Sequence, residues 1–138
     1  MKKIKQPSRY RKLVEAAKTA KQFSYSPYSK FRVGAALLTV KGKIYTGCNI
    51  ENSSYGLTVC AERTAIFKAI SEGEKNFVAL AVVSDAKNSI APCGACRQVL
   101  MDLAKNIKLV LADRKGSSKI IMLKDLLPYP FDGTVLQK

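Results

Sequence analysis

The apolar positions of this chain change their period several times, and each change marks an element. Leu13, Val14, Ala17 and Ala20 recur at helical spacing. They predict a helix that begins at Pro7-Ser8, with Ser8 as its cap, and ends near Lys21–Gln22. Phe23–Lys30 contains Ser-Tyr-Ser-Pro-Tyr-Ser, a rigid, turn-like run. Phe31–Thr39 and Lys43–Cys48 read as strands joined by a tight turn at Lys41-Gly42, hence a hairpin. After the polar stretch Asn49–Thr58, a second helix is predicted over Ala61–Ile70. Ala61, Ala65, Ile66 and Ala69 form its apolar face, and Gly73 is its stop. Phe77–Ser84 is a continuous apolar run, the pattern of a strand buried on both faces. A third helix over Gly94–Lys105 carries Val99, Leu100 and Leu103 on one face. Ile107–Ala112 and Lys119–Leu123 are the last strands. Asp113–Ser118 between them is too short for a crossover helix, so this pair should be antiparallel. Lys124–Leu127 predicts one helical turn, and Pro128-Tyr129-Pro130 ends regular structure.

Strands interspersed with helices predict an α/β fold: a three-layer α/β/α arrangement around a mixed five-stranded sheet. Residues 1–138 read as a single domain, with 1–6 as a flexible basic arm. The second and third helices both start after strands, so both starts belong at carboxyl ends of strands. Open α/β sheets bind ligands at that edge.

Composition narrows the chemistry. No apolar run reaches membrane-spanning length, and no hydrophobic signal segment follows the basic Met1–Lys5, so a cytoplasmic protein is expected. In that reducing setting the four cysteines argue for metal binding or catalysis over disulfides. The chain has no histidine, which excludes Ser-His and Cys-His catalysis and every imidazole metal site. Its net charge is +14, and the first 30 residues hold nine Lys/Arg against one acid, Glu15. Such a surface permits weak, non-specific RNA binding, although no aromatic-rich nucleic-acid motif accompanies it. A solvated basic face is the plainer reading.

Two stretches carry the chemistry: Cys60-Ala61-Glu62-Arg63 and Pro92-Cys93-Gly94-Ala95-Cys96-Arg97. Each opens a predicted helix, where the backbone dipole favours thiolate over thiol. Cys93 and Cys96 lie one turn apart, within reach of one ion. With Cys60 they offer three sulfurs to one Zn²⁺ and leave its fourth tetrahedral position open, the arrangement of a catalytic site. Glu62 is better placed as an acid/base beside that position than as a ligand. Two other readings stay open: a Cys-x-x-Cys redox pair, and a structural four-cysteine zinc site that includes Cys48. Cys48, ending an apolar strand, reads as a buried small hydrophobe. A non-catalytic, zinc-stabilised RNA-binding module is a third, suggested only by the charge.

Cys-Ala-Glu-Arg-Thr-Ala followed by Pro-Cys-Gly-Ala-Cys-Arg-Gln closely resembles the zinc-dependent cytidine deaminases of the small homotetrameric type. The likeness runs from Pro27-Tyr28-Ser29-Lys30-Phe31 through Gly47-Cys48-Asn49-Ile50-Glu51-Asn52 to Leu126-Leu127-Pro128. It implies one zinc per chain on Cys60, Cys93 and Cys96, with Glu62 as proton shuttle. Asn49 and Glu51 would bind the ribose 3′-hydroxyl, and Phe31 and Ala61 would contact the substrate, Phe31 near the pyrimidine. Ser53, which departs from the usual Ala, and Tyr55 would reach a neighbouring subunit's site, which Phe131 would cap. The resemblance thus implies a homotetramer with shared active sites. The implied reaction is hydrolytic deamination of free cytidine and deoxycytidine, in pyrimidine salvage, by zinc-activated hydroxide. Three thiolates and Zn²⁺ sum to −1, which weakens the ion as a Lewis acid. Arg63 and the two helix N-termini are the expected compensation. Rival substrates are a cytosine-analogue nucleoside or a base within RNA. Polynucleotide deaminases of similar chemistry insert a helix where this chain has only Asp113–Ser118.

Overall fold

The structure, a computed structural model, describes residues 7–137; the basic arm expected at 1–6 lies outside them. Five strands form one sheet: β1 (Val33–Thr39), β2 (Ile44–Cys48), β3 (Phe77–Ser84), β4 (Lys108–Ala112) and β5 (Ser118–Met122). Their order across the sheet is β2-β1-β3-β4-β5. β1 runs antiparallel to both β2 and β3, β3 and β4 are parallel, and β4 and β5 are antiparallel. The expected mixed sheet and its antiparallel final pair are both present.

Helices α1 (Ser8–Lys21), α2 (Ala61–Ser71) and α3 (Gly94–Ala104) supply the outer layers. Successive β1 side chains point to opposite faces, so the alternation along one strand feeds two cores. Ala36 and Leu38 pack with Tyr10, Leu13, Val14 and Ala17 of α1, together with Ala79, Ala81 and Val83 of β3. Ala35 and Leu37 face the other way, toward Ala61, Ala65, Ile66 and Ala69 of α2 and Leu100 and Met101 of α3. Leu80 and Val82 of β3 and Leu109 and Leu111 of β4 complete that second core. The central strands therefore have no polar face, as the unbroken apolar run of β3 requires.

This topology places the site. Because β1 is antiparallel to both its neighbours, β2 and β3 end at the same edge of the sheet, beside the start of β1. The register pairs Gly34 with Cys48 and Val33 with Ser84. The chain leaving β2 enters α2, and the chain leaving β3 enters α3. Both helices thus begin at that edge.

Three sequence-based boundaries and one burial expectation need correction. Pro7, not Ser8, occupies the N-cap of α1, and no side chain caps it. The Pro7 carbonyl instead accepts the N–H groups of Tyr10 and Arg11 at 3.0 and 3.3 Å, which leaves Ser8 inside the helix. β1 begins at Val33 and not Phe31, since the Phe31 carbonyl accepts from Asn49 Nδ2 and the Arg32 N–H donates to Asp85 Oδ2. Regular structure resumes after Pro130 in a 3-10 turn at Gly133–Leu136, whose cap Asp132 accepts the Thr134 N–H at 2.9 Å. Cys48 is half-buried, not fully so.

Gly47 shows how tightly α2 is seated on β2. A Cβ there would lie 2.5 Å from both the Ala61 carbonyl oxygen and the Ala65 nitrogen, well inside contact distance. Both are backbone atoms of a helix that cannot turn aside. Gly47→Ala is expected to destabilise the fold by about 1–3 kcal/mol through overpacking. Because the clash falls on the first turn of α2, zinc affinity should fall as well. Urea unfolding of the variant beside the wild type checks this, and an unchanged midpoint would contradict the seating of α2.

Candidate active site

Cys60 and Cys93 are the N-cap residues of α2 and α3. An N-cap side chain usually accepts a backbone N–H of the first turn. Neither cysteine makes such a bond, so both sulfurs remain free at the positive ends of the helices. Cys96, in the first turn of α3, is buried beneath them. Cys60 Sγ stands 3.8 Å from Cys93 Sγ, and Cys93 Sγ stands 3.5 Å from Cys96 Sγ. All three sulfurs lie within 4.8 Å of one another, and among the described residues no other group of three metal-ligating side chains does so.

These distances test the metal directly. Tetrahedral zinc with Zn–S bonds of about 2.3 Å places its sulfurs about 3.8 Å apart. The trio fits that geometry before any ion is added. Cys48 is not part of it, which removes the four-cysteine structural site. The set is soft, compact and three-membered, the composition that leaves a metal one open position.

Electrostatics around the trio are uneven. The Cys96 thiol beside it and the Arg63 guanidinium hold Cys60 down at about 5, against the cost of its burial. Arg63 Nη2 donates to Cys60 Sγ at 3.5 Å, while its Nε is buried without a partner. The same hydrogen-bonding relation with Cys60 pushes Cys96 up, helped by burial and by the nearby Glu62 charge. Glu62 is only 4% exposed. Burial raises the proton affinity of its carboxyl, and the Cys60 charge adds to this.

The remaining predicted residues fall into two groups. Phe31, Asn49, Glu51 and Tyr55 gather near the same edge. Asn49 is buried, and its side-chain amide is tied to the Ser24–Val33 segment with one of its two Nδ2 donors engaged. Nδ2 donates to the Phe31 carbonyl at 2.8 Å, and Oδ1 accepts the Val33 N–H at 2.9 Å and the Ser24 hydroxyl at 2.5 Å. Glu51 accepts the N–H groups of Tyr28 and Ser29 and the Ser29 hydroxyl. Tyr28, Ser29, Glu51, Tyr55 and Thr58 line a recess of about 360 Å³, with the Tyr28 and Tyr55 rings edge to face at 5.7 Å. Ala61, the first residue of α2, is fully buried in the core.

Phe131 is not brought there. It lines a separate cleft of about 300 Å³ with Phe67, Val99 and Leu103, on the outer side of α2 and α3. Gln98 Nε2 holds its carbonyl at 2.7 Å. Ser53 is exposed on the loop before Tyr55.

Several contributors escaped the sequence reading. Ser24, Tyr28 and Ser29 hold Asn49 and Glu51 across more than twenty residues of sequence. Their signals were the rigid Ser-Tyr-Ser-Pro-Tyr-Ser run and, for Tyr28 and Ser29, the Pro27–Phe31 stretch of the resemblance, neither of which assigned them a role. Arg97 fixes the loop before Cys93, with Nε on the Pro92 carbonyl at 2.7 Å and Nη1 on the Leu126 carbonyl at 3.1 Å. Asp85 takes a two-pronged contact from Arg32 at 3.0 and 3.1 Å and another from Lys21 at 3.1 Å. It thereby ties α1 and β1 to the end of β3, and the Arg32 contact holds its carboxyl well below the usual range.

The geometry makes the metal assignment testable by substitution. Cys48→Ser should retain one zinc per chain, whereas Cys96→Ser should lose it or bind it far more weakly, since a buried ligand cannot be replaced by solvent. Metal content after gel filtration distinguishes the two, and equal loss in both variants would restore the four-cysteine site.

Known proteins provide an independent comparison. Residues 7–112 match the family model for the cytidine and deoxycytidylate deaminase zinc-binding region. The chain is 50% identical over 121 residues to a cytidine deaminase of Sporosarcina psychrophila, covering 87% of this chain and 89% of that protein. It is 51% identical over 120 residues to the cytidine deaminase of Halalkalibacterium halodurans, covering 86% and 91%. The crystal structure of cytidine deaminase from Burkholderia pseudomallei superposes with a TM-score of 0.84 at 50% identity, over 87% of this chain and 97% of that one. The matched region contains both helix starts and all three thiols. With the trio, the buried Glu62 and the sheet edge that joins them in view, the chain belongs to the zinc-binding cytidine deaminase family.

Proposed function

We propose that the protein deaminates free cytidine and deoxycytidine hydrolytically, releasing uridine or deoxyuridine and ammonia, in pyrimidine salvage in the cytoplasm. The observation that carries this is the thiol trio at two helix starts, with a buried carboxyl two residues beyond Cys60. The fit of those thiols to zinc and membership of the family support the metal and the reaction class.

Zinc, held by Cys60, Cys93 and Cys96, supplies Lewis acidity that makes water a usable nucleophile near neutral pH. The chain's own part is proton management. Cytosine C4 becomes electrophilic only when N3 gains a proton. Glu62 accepts a proton from the attacking water and delivers it to N3, so that the oxygen can bond to C4. The proton of the resulting C4 hydroxyl then passes through Glu62 to the exocyclic amine, the C4–N bond breaks, and ammonia leaves. A carboxyl whose proton affinity is raised by burial is suited to hold that proton between the two transfers. Arg63 offsets the negative charge of three thiolates, keeping the site electrophilic. Glu51 and Asn49 address the ribose and Phe31 the pyrimidine. A carboxylate at the 3′-hydroxyl repels a 3′-phosphate, which favours free nucleosides over nucleic acid. The short β4–β5 turn, in which Asp113 Oδ1 accepts the N–H groups of Lys115 and Ser117, supports the same choice.

The test is loss of cytidine ultraviolet absorbance with zinc-loaded protein, run in parallel on deoxycytidine, cytidine 3′-monophosphate and an oligonucleotide. Turnover is expected on the two nucleosides and little on the others at near-physiological salt. Glu62→Gln should keep zinc and fold while losing about 10²–10⁴-fold in rate, the usual weight of a positioned acid/base. Comparable rates on the oligonucleotide, or near-normal turnover in Glu62→Gln, would each refute the assignment.

We also read the active form as a homotetramer. Tyr55 is 74% exposed, Leu57 67%, Phe131 61% and Leu136 73%, an unusual amount of large apolar surface around the two clefts. Neighbouring subunits would cover it and place Phe131 over an adjoining site. Sedimentation velocity with activity measured across the boundary is the check: activity should travel with the tetramer, and a fully active monomer would return both aromatics to a local role.

A further inference from the structure

Glu51 has used most of its capacity as an acceptor. An ionised carboxylate offers about four lone-pair sites. Oε1 takes the N–H groups of Tyr28 and Ser29 at 2.9 and 3.1 Å. Oε2 takes the Ser29 hydroxyl. That hydroxyl has one proton, and its direction is decided from the other side. Ser29 Oγ accepts the Phe31 N–H at 3.1 Å, so the hydroxyl faces Glu51 as a donor. The Ser29 hydroxyl is also the main reason that the Glu51 carboxyl sits below its ordinary range, with the two backbone donors adding to it.

The three bonds do different jobs. Two donors on Oε1 fix the position of one oxygen but leave the carboxylate plane able to turn about it. The third bond, on Oε2, stops that rotation. It leaves one acceptor site on Oε2, on a side chain that borders the 360 Å³ recess shared with Tyr28, Tyr55 and Thr58. The same hydroxyl contacts the backbone of Phe31, so the ribose side and the pyrimidine side of the site meet at one atom.

We propose that Ser29 is a positioning residue for nucleoside recognition: its hydroxyl sets the plane of the Glu51 carboxylate so that the remaining acceptor receives the ribose 3′-hydroxyl. This rests on the reading of Glu51 as the 3′-hydroxyl acceptor. Ser29 touches no reacting atom. Its effect belongs in substrate affinity and only for substrates that carry the hydroxyl.

Kinetics of the zinc-loaded protein on cytidine and on 3′-deoxycytidine test it, with wild type, Ser29→Ala, Ser29→Thr and Glu51→Gln compared. Ser29→Ala should raise KM for cytidine roughly tenfold, the scale of one hydrogen bond to a charged group, with kcat and zinc content nearly unchanged. KM for 3′-deoxycytidine should barely move, and Ser29→Thr should restore cytidine binding. An equal loss on both substrates would make Ser29 merely structural, and no loss on cytidine would make it dispensable; either overturns the proposal. Glu51→Gln raising KM equally on both substrates would instead remove the ribose reading beneath it, whatever Ser29 does.

Discussion

Three sulfur atoms within 4.8 Å of one another repel once they ionise, and much of the surrounding structure opposes that repulsion. Two helix N-termini converge on the trio, each with a cysteine at its cap and no side-chain capping bond to compete for the sulfur. Arg63 adds a full positive charge at 3.5 Å from Cys60. Its partnerless buried Nε would be costly in a site of neutral groups, and it is intelligible beside a cluster whose charge is negative. A divalent ion completes the neutralisation. The neighbouring thiols and Arg63 lower the proton affinity of Cys60, and the contact with Cys60 and burial raise that of Cys96.

That arrangement depends on strand direction. Had β1 run parallel to either neighbour, β2 and β3 would not end together, and α2 and α3 would start at opposite edges. Tight seating then turns topology into ångström-scale placement. α2 approaches β2 so closely that only glycine fits at position 47, and α1 approaches β1 in the same way at Gly34. Glu62, on the buried face of α2, shares the rigidity of its helix.

The side of the site formed by Asn49 and Glu51 is built differently. Asn49 and Glu51 lie on irregular backbone just beyond β2, and side-chain hydrogen bonds to the Ser24–Val33 segment hold them in place of packing. The Tyr25 N–H donates to the Asn49 carbonyl at 3.0 Å, and the Glu51 N–H donates to the Tyr25 carbonyl at 2.8 Å, so the two segments run together as a short ladder. Asp85 secures the far side through Arg32 and Lys21. Exposed loops of this kind are where specificity can vary while the zinc-bearing helices stay fixed.

The three helices, the five strands, the antiparallel final pair and the zinc-binding character of the chain were legible in the linear sequence. Each depends on periodicity or short spacing: the unbroken run at Phe77–Ser84, the brevity of Asp113–Ser118, and Cys-x-x-Cys at a helix start. The absence of histidine made the three thiols more telling. Element ends were less legible, because long-range partners set them: Asn49 and Asp85 take the backbone of Phe31 and Arg32 and delay β1 by two residues. Only the tertiary structure could place Ser29 against Glu51, Arg97 against Pro92 and Leu126, and Phe131 in a cleft apart from the thiols. The physical reason is the same in each case. A hydrogen bond between residues twenty or thirty apart leaves no period in the sequence, whereas a buried face repeats every second or every third to fourth residue and declares itself.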